Sequence, residues 1–83
     1  MKKSLIKTKI LKQLKKQLEL LGINPSKWEL VEIDIQDGWA YSRYTHIEDI
    51  NKHMTEKRNM EFQGEFFDNK TGEIIQGTYP VFN

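Results

Sequence analysis

The chain contains no cysteine, only two prolines and no long run of apolar residues. The absence of cysteine excludes a disulfide framework and a cysteine-ligated zinc or iron–sulfur site, so stability must come from packing or partly from a second copy. Lysine interrupts the apolar positions near the N-terminus every two or three residues, which excludes a signal-peptide core and a membrane-spanning helix. We therefore expect a cytoplasmic protein without a membrane partner, and a homodimer is compatible with these absences.

Alanine and arginine are also scarce. Alanine occurs once, at Ala40, and arginine twice, against many lysines, isoleucines and asparagines. This composition is typical of an AT-rich genome, such as that of a low-GC bacterium or its phage. The length of 83 residues limits burial to roughly 60 to 65 % of the unfolded surface, which suffices for one core and not for two. We expect residues 1–83 to form a single small domain.

The charge of the chain changes sign along its length. Residues 1–27 carry eight lysines and one acid, Glu19, for a net charge of +7, whereas residues 28–83 carry five basic side chains and eleven carboxylates, for −6. The overall net charge of +1 hides this division. Such a chain can present a basic surface to a polyanion or an acidic surface to a basic partner, or neutralise one half with the other on folding.

A first helix is predicted from Ser4 to Leu21, because apolar residues recur there at steps of three and four and form one stripe. Gly22 supplies a left-handed C-cap, and Asn24-Pro25 prevents the helix from continuing. The stripe consists of Ile6, Ile10, Leu14, Leu18 and Leu21.

A second, shorter helix is predicted after residue 44. Thr45 and Glu48 have the spacing of a capping box. In this motif the Thr45 side chain accepts a hydrogen bond from the Glu48 amide, and the Glu48 side chain accepts one from the Thr45 amide. The helix is expected to end near Asn59 and to bury its own apolar stripe. That stripe consists of Ile47, Ile50 and Met54.

Between the two helices the pattern predicts a hairpin. Trp28 to Gln36 alternates apolar and acidic residues, and Asp37-Gly38 suits a type I′ turn. A two-residue loop pairs Gln36 with Trp39 and thereby sets every later pair. The predicted pairs are Ile35 with Ala40, Ile33 with Ser42 and Val31 with Tyr44 on the apolar face, and Asp34 with Tyr41 and Glu32 with Arg43 on the other.

A second hairpin is predicted from Met60–Phe67 and Glu73–Phe82, which are rich in aromatic and β-branched residues and flank a turn at residues 68–72. Pairing Asp68 with Glu73 aligns Gly64 with Gly77, and Pro80 favours an edge position for the last strand. The predicted apolar face holds Met60, Phe62, Phe66, Ile75, Tyr79 and Val81, and the outward face holds Glu61, Gln63, Glu65, Gln76, Thr78 and Pro80.

The order α-β-β-α-β-β predicts an α+β domain, with an antiparallel four-stranded sheet and two helices packed on one face. The chain has no residue-level internal repeat, no low-complexity tract and no linker. The core therefore has to form between the apolar side of the sheet and the two helical stripes.

The polar side of the first helix is a candidate nucleic-acid interface, because regularly spaced lysines can contact successive phosphates. The alternative is an ordinary solvated helix face, and this one lacks the arginine or asparagine used for base-specific contacts. A membrane-surface role is disfavoured, since the apolar stripe lacks an aromatic anchor and is needed to cover the sheet. The four lysines are Lys9, Lys12, Lys15 and Lys16.

Trp39, Tyr41 and Arg43 share the outward side of the first hairpin and form a candidate partner-binding site with Glu32 and Asp34. Aromatic and arginine side chains dominate protein-binding hot spots and also stack on nucleic-acid bases. Part of this face could instead be covered by the first helix or by a second copy. The same hairpin is dense in acids, which suits a basic partner.

Two other side-chain groups are weaker candidates for functional sites. The acids could imitate a phosphate track, although a dedicated mimic usually carries net negative charge. The second helix would carry His46, Asp49, His53 and Glu56 on one side, but no HExxH or other strong metal signature is present, so we predict no metal and no cofactor. The acids in question are Glu29, Glu32, Asp34, Asp37, Glu48, Asp49, Glu61 and Glu65.

Catalysis has little support, because the chain has no phosphate-binding glycine loop, no nucleophile elbow and too little mass for a deep pocket. We predict a non-enzymatic binding module whose partner is a protein. Small inhibitors or regulators of nucleic-acid-handling proteins, such as those of phages and mobile elements, resemble it in size and charge pattern. The alternative is direct nucleic-acid binding through the lysines of the first helix.

Overall fold

One helix and one antiparallel sheet make up the fold, which confirms the α+β class but not the second helix. The computed structural model describes residues 3–83, and Met1 and Lys2 of the basic segment lie outside the described residues. Short 3-10 turns occupy Pro25–Lys27, Ile47–Asp49 and Met54–Glu56. The regular elements are α1 (Lys3–Leu20), β1 (Trp28–Gln36), β2 (Trp39–His46), β3 (Asn59–Phe67), β4 (Ile74–Gln76) and β5 (Val81–Phe82).

Helix α1 follows the predicted stripe and the predicted cap. Its apolar residues at steps of four are buried against the sheet, and Gly22 adopts a φ of +79°. The N–H of Ile23 donates to the carbonyl of Leu18 at 2.9 Å, the hydrogen bond that closes a Schellman motif. The buried stripe is Ile6, Ile10, Leu14 and Leu18, whereas Leu21 is exposed.

The β1–β2 hairpin has the predicted register near its turn and a bulge farther away. The register shifts between Leu30 and Glu32, so Leu30 and not Val31 pairs with Tyr44. The turn is not type I′, because a positive φ occurs at Gly38 but at no non-glycine residue. The pairs Gln36–Trp39, Ile35–Ala40, Asp34–Tyr41, Ile33–Ser42 and Glu32–Arg43 are as predicted.

The predicted second helix is wrong: residues 47–58 contain only two 3-10 turns. Thr45 belongs to β2 and donates its hydroxyl hydrogen to Asn59 at 2.8 Å, so it caps nothing. The imidazole Nδ1 of His46 accepts from the Glu48 amide instead. Ile47 and Met54, expected in a buried stripe, are exposed.

A buried carboxylate, paired with two partly exposed cations, explains why these residues form a loop. Asp49 is fully buried, and its carboxylate accepts from the backbone N–H and the guanidinium of Arg58. Lys52 Nζ lies 2.9 Å from the same carboxylate. These hydrogen bonds, chiefly those from Arg58 and then Lys52, hold the pKa of Asp49 well below its ordinary value. The Asp49 carboxylate bonds to Arg58, nine residues later, and so closes this segment into a loop. A continuous helix would hold the two residues too far apart for this bond.

Gly64 introduces a bulge into β3 that the sequence analysis did not predict. Ala40 pairs with Glu65 and Tyr41 with Gln63, so Gly64 has no residue opposite it on β2. Its φ of +85° lies in the left-handed region that glycine tolerates best. Since a one-residue slip moves the following side chains to the other face, the bulge reverses the faces of the residues after it.

The bulge reverses the predicted burial of two neighbouring side chains. Glu65, expected to face solvent, is 1 % exposed, and Phe66, expected in the core, is 45 % exposed. Glu65 Oε1 accepts from the backbone N–H of Thr78 at 2.8 Å and from its hydroxyl at 2.7 Å. The Glu65 carboxylate thus accepts the hydrogen bond that a backbone carbonyl would accept in a regular sheet, because Thr78 lies between β4 and β5 and outside both.

The last predicted strand is divided into β4 and β5, which both pair with β3. The predicted bond from the Asp68 N–H to the Glu73 carbonyl is present at 2.9 Å, but the register slips beyond Ile74, so Gly77 does not face Gly64. Pro80 lies at the sheet edge, as predicted, between the two short strands. The residues expected to be buried there, Ile75, Tyr79 and Val81, are exposed.

The two hairpin loops are joined through Asn69. Its Oδ1 accepts from the Gly38 N–H at 3.0 Å, and its Nδ2 donates to Asp37 Oδ1 at 2.7 Å. The Phe67 N–H donates to the Gly38 carbonyl at 3.1 Å. The turn between β1 and β2 therefore rests on the loop after β3.

The strand order is β1-β2-β3-β4, with β5 also paired to β3. Helix α1 covers one face of this sheet and shares one hydrophobic cluster with it. No helix within residues 3–83 covers the other face. The cluster contains Ile6, Ile10, Leu14, Leu18, Ala40, Tyr44, Met60, Phe62 and Phe67.

Candidate protein-binding face

The uncovered side of the sheet, here called the open face, brings together the predicted partner-binding residues. Along β2 the buried residues Ala40, Ser42 and Tyr44 point to α1, so the alternate residues between them point away from it. The open face comprises Trp39, Tyr41 and Arg43 of β2, Glu32 and Asp34 of β1, and Glu61, Gln63 and Phe66 of β3.

Three aromatic side chains lie at the turn end of the open face. The rings of Trp39 and Tyr41 stack, with centroids 6.4 Å apart and planes at 16°. Phe66 pairs with Trp39 across the strands. The indole lies over the bulge, since a Cβ at Gly64 would be only 3.1 Å from Trp39 Nε1. Glycine at this position leaves the room that the indole occupies.

Phe66 was missed by the sequence analysis, which assigned it to the core. The available signal was the glycine inside a strand of aromatic and β-branched residues, because such a glycine often marks a bulge or a close backbone approach. The bulge places a third aromatic ring, that of Phe66, on the open face. The carboxylate of Glu65 is buried on the helix side in its place.

Charged side chains occupy the centre of the open face. Arg43 Nη2 lies 3.4 Å from Glu32 Oε2, and Glu61 pairs with Arg43 from the other strand. One arginine against Glu32, Asp34 and Glu61 gives this group a net charge of −2. The open face is therefore aromatic at one end and acidic at its centre.

One polar group of the open face has unused donor capacity, and a second donates within the face. The Nε atom of Arg43 is buried and has no hydrogen-bond partner within residues 3–83. Burial raises the pKa of the Tyr41 phenol, and the nearby carboxylates of Glu61 and Glu32 raise it further. A hydrogen bond from the phenol to the Glu61 carboxylate raises this pKa as well, so the Tyr41 hydroxyl is already engaged within the open face.

The lysines of α1 lie on the other layer of the fold. Lys9 forms an ion pair with Glu73, Nζ to Oε1 at 2.8 Å. Lys12, Lys15 and Lys16 are exposed. Because the core separates these lysines from the open face, one short ligand cannot contact both surfaces.

Asp49 and the two histidines bond to other groups of the chain. Asp49 is engaged by Arg58 and Lys52, and the Nδ1 atoms of His46 and His53 accept from backbone amides of their own turns. Among residues 3–83, no group of three or more histidine, cysteine or acidic residues is placed to hold a metal ion.

Comparison of the chain with protein-family models, with curated proteins and with solved structures gives no match in any of the three. Within the described part of the chain, α1 and the short turns lack the length and apolar character needed to cross a bilayer.

Proposed function

We propose that this protein is a non-enzymatic binding module that occupies the surface of a protein partner with its open face. The observation that supports this function is the grouping of Trp39, Tyr41 and Phe66 with Arg43 on a sheet face that no helix of the described residues covers. Tryptophan, tyrosine and arginine are the residues enriched in binding hot spots, and aromatic rings bury large area at low entropic cost. A sheet face without such a role would normally present smaller polar residues to solvent.

The charge of the open face favours a partner with a basic contact surface. Its net charge of −2 would attract such a surface and speed association at low salt. Proteins that handle nucleic acids carry basic grooves for phosphates, so an inhibitor or regulator of such a protein is the partner class we favour. The same charge opposes direct phosphate contact on this face, which separates a protein partner from a nucleic-acid ligand.

The test compares truncation of two large side chains on the open face with truncation of two large exposed side chains elsewhere. A partner is captured from host lysate with the immobilised protein, purified, and titrated calorimetrically with wild type and with Trp39→Ala/Tyr41→Ala. We expect the double variant to weaken binding by about 2 kcal/mol or more, roughly 30-fold. The matched control is Ile75→Ala/Tyr79→Ala, which truncates two exposed side chains at the far edge. Equal weakening by both double variants would contradict the proposal.

Nucleic-acid binding is a second candidate, and one observation favours it. Lys12, Lys15 and Lys16 are exposed and form no ion pair within residues 3–83. Three phosphate contacts predict that the logarithm of the binding constant falls with log salt at a slope of about −2 to −3. Titration of a fluorescent oligonucleotide at several salt concentrations, with wild type and with Lys12→Gln/Lys15→Gln/Lys16→Gln, measures this slope. A salt-independent affinity, or one unchanged in the triple variant, would exclude this candidate.

A further inference from the structure

Strand β1 leaves the hydrogen-bonding groups of one edge free. It pairs with β2 on one side, and within residues 3–83 no strand pairs with its other side. The His46 N–H donates to the Arg58 carbonyl at 3.0 Å, so even-numbered residues of β2 bond to β3 and odd-numbered ones to β1. Tyr41 and Arg43 therefore bond to their partners in β1, and the backbone groups of Ile33 and Ile35 point outward.

The opposite edge of the sheet is closed to another strand. Strands β4 and β5 have three and two residues and are separated by the segment that contains Pro80. Within that segment the Thr78 N–H is already bonded to the buried Glu65 carboxylate at 2.8 Å. Short strands, proline and interruptions are devices by which sheet edges avoid pairing. The nine residues of β1 are thus the edge at which a strand could be added.

A cleft runs beside this edge on the helix side. It has a volume of about 600 Å³ and lies between α1, residues 24–26 and the start of β1. Trp28 and Leu30 of β1 are only partly buried where they line it. Where an added strand lies opposite Trp28 and Leu30, its side chains on the helix side would point into this cleft. The apolar lining consists of Leu11, Leu18, Trp28, Leu30 and Tyr44.

The other side of the edge is acidic. Glu32 and Asp34 are exposed on the open face, and Glu29 precedes them on the same strand. A second copy paired at this edge would bring like charges together across the strands. A strand with basic residues at alternate positions would instead gain cross-strand ion pairs. Charge complementarity thus favours a basic partner over self-association.

We propose that the β1 edge binds an extended segment of a protein partner in which apolar and basic residues alternate. Backbone hydrogen bonds to Ile33 and Ile35 extend the sheet, apolar side chains enter the cleft, and basic side chains face Glu32 and Asp34. This site is distinct from the aromatic end of the open face. The proposal therefore stands even if Trp39 and Tyr41 bind nothing.

The probe is a terminally blocked heptapeptide in which lysine and valine alternate, added to the isotopically labelled protein. We expect hydrogen exchange of the Ile33 and Ile35 amides to slow by about tenfold or more at saturation, since these groups become paired. Two further peptides carry N-methyl groups on either the lysines or the valines. One of these two methylated peptides should lose binding and the other should retain it, because only alternate amides of an added strand face β1.

Substitutions in the protein test the contribution of the acidic side chains to peptide binding. Glu32→Lys/Asp34→Lys should weaken peptide binding by about tenfold, the combined effect of two cross-strand ion pairs. The control Glu56→Lys reverses an exposed charge in the distant loop and should leave affinity unchanged. No change in exchange at Ile33 and Ile35, or equal binding by both methylated peptides, would overturn the proposal without any need for a protein variant.

Discussion

Replacing Gly64 with alanine tests the link between the β3 bulge and the open face. A non-glycine residue at φ +85° costs about 1–2 kcal/mol. The new Cβ would also lie 3.1 Å from Trp39 Nε1, so the indole must tilt away. Loss of its stacking on Tyr41 adds about 0.5–1.5 kcal/mol. Gly22→Ala is the matched control, because Gly22 has a φ of +79° with nothing within 4 Å of the added Cβ.

Urea unfolding followed by circular dichroism gives both free energies, and single-tryptophan emission in a Trp28→Phe background reports on Trp39. We expect Gly64→Ala to be less stable than Gly22→Ala by the stacking contribution and to red-shift the Trp39 emission. Partner binding through the open face should weaken in Gly64→Ala alone. Equal destabilisation of the two variants, with unchanged emission, would refute the reasoning that Gly64 makes room for the indole.

Three further substitutions test the core and the loops. The pKa of Asp49 is held below its ordinary 3.8, so its carboxylate binds fewer protons in the folded state than in the unfolded state. Wild-type stability should therefore fall as the pH drops below about 4. Urea unfolding of Asp49→Asn should show a lower free energy of unfolding at neutral pH and a smaller loss of that free energy on acidification. Gly77→Ala should be destabilising, since its Cβ would lie 2.6 Å from Gln17 Nε2, and added Gln17→Ala should recover part of the loss in thermal unfolding. Leu14→Ala should cost about 2–5 kcal/mol in the fully buried stripe, whereas exposed Leu5→Ala should change the unfolding free energy little.

Helix α1 and the first hairpin were predictable because local rules determine them. A stripe at steps of three and four followed by Gly22 defined the helix and its end, and the two-residue loop after Gln36 defined five cross-strand pairs correctly. Both signals act within a few residues along the chain, so no knowledge of the tertiary structure was needed.

The features that were missed depend on contacts between distant residues. The bulge at Val31 and the bulge at Gly64 break the strict alternation on which register arguments depend. The prediction of a second helix failed because the buried Asp49 carboxylate bonds to Arg58 across a loop, and this pairing outweighs a capping-box spacing. A helical pattern of twelve residues with asparagine, histidine and threonine has too little intrinsic propensity to resist it.

The candidate site was predicted in part. Alternation along β2 correctly indicated that Trp39, Tyr41 and Arg43 share one side, and Glu32 lies beside Arg43 as expected. Phe66 was assigned to the wrong side because the bulge was not recognised. The binding role of these residues stays a prediction, since geometry alone gives their grouping and not their use.

The amide of Asn69 has a consequence for anyone who wishes to label or extend this protein. Because it clamps the Asp37-Gly38 tip, an insertion into either loop disturbs both, and a fluorophore placed there would report on two connections at once. The exposed stretch at residues 51–56 has no comparable tether to a second loop. Tags and spectroscopic probes inserted there would leave the aromatic surface and its supporting strands as they are.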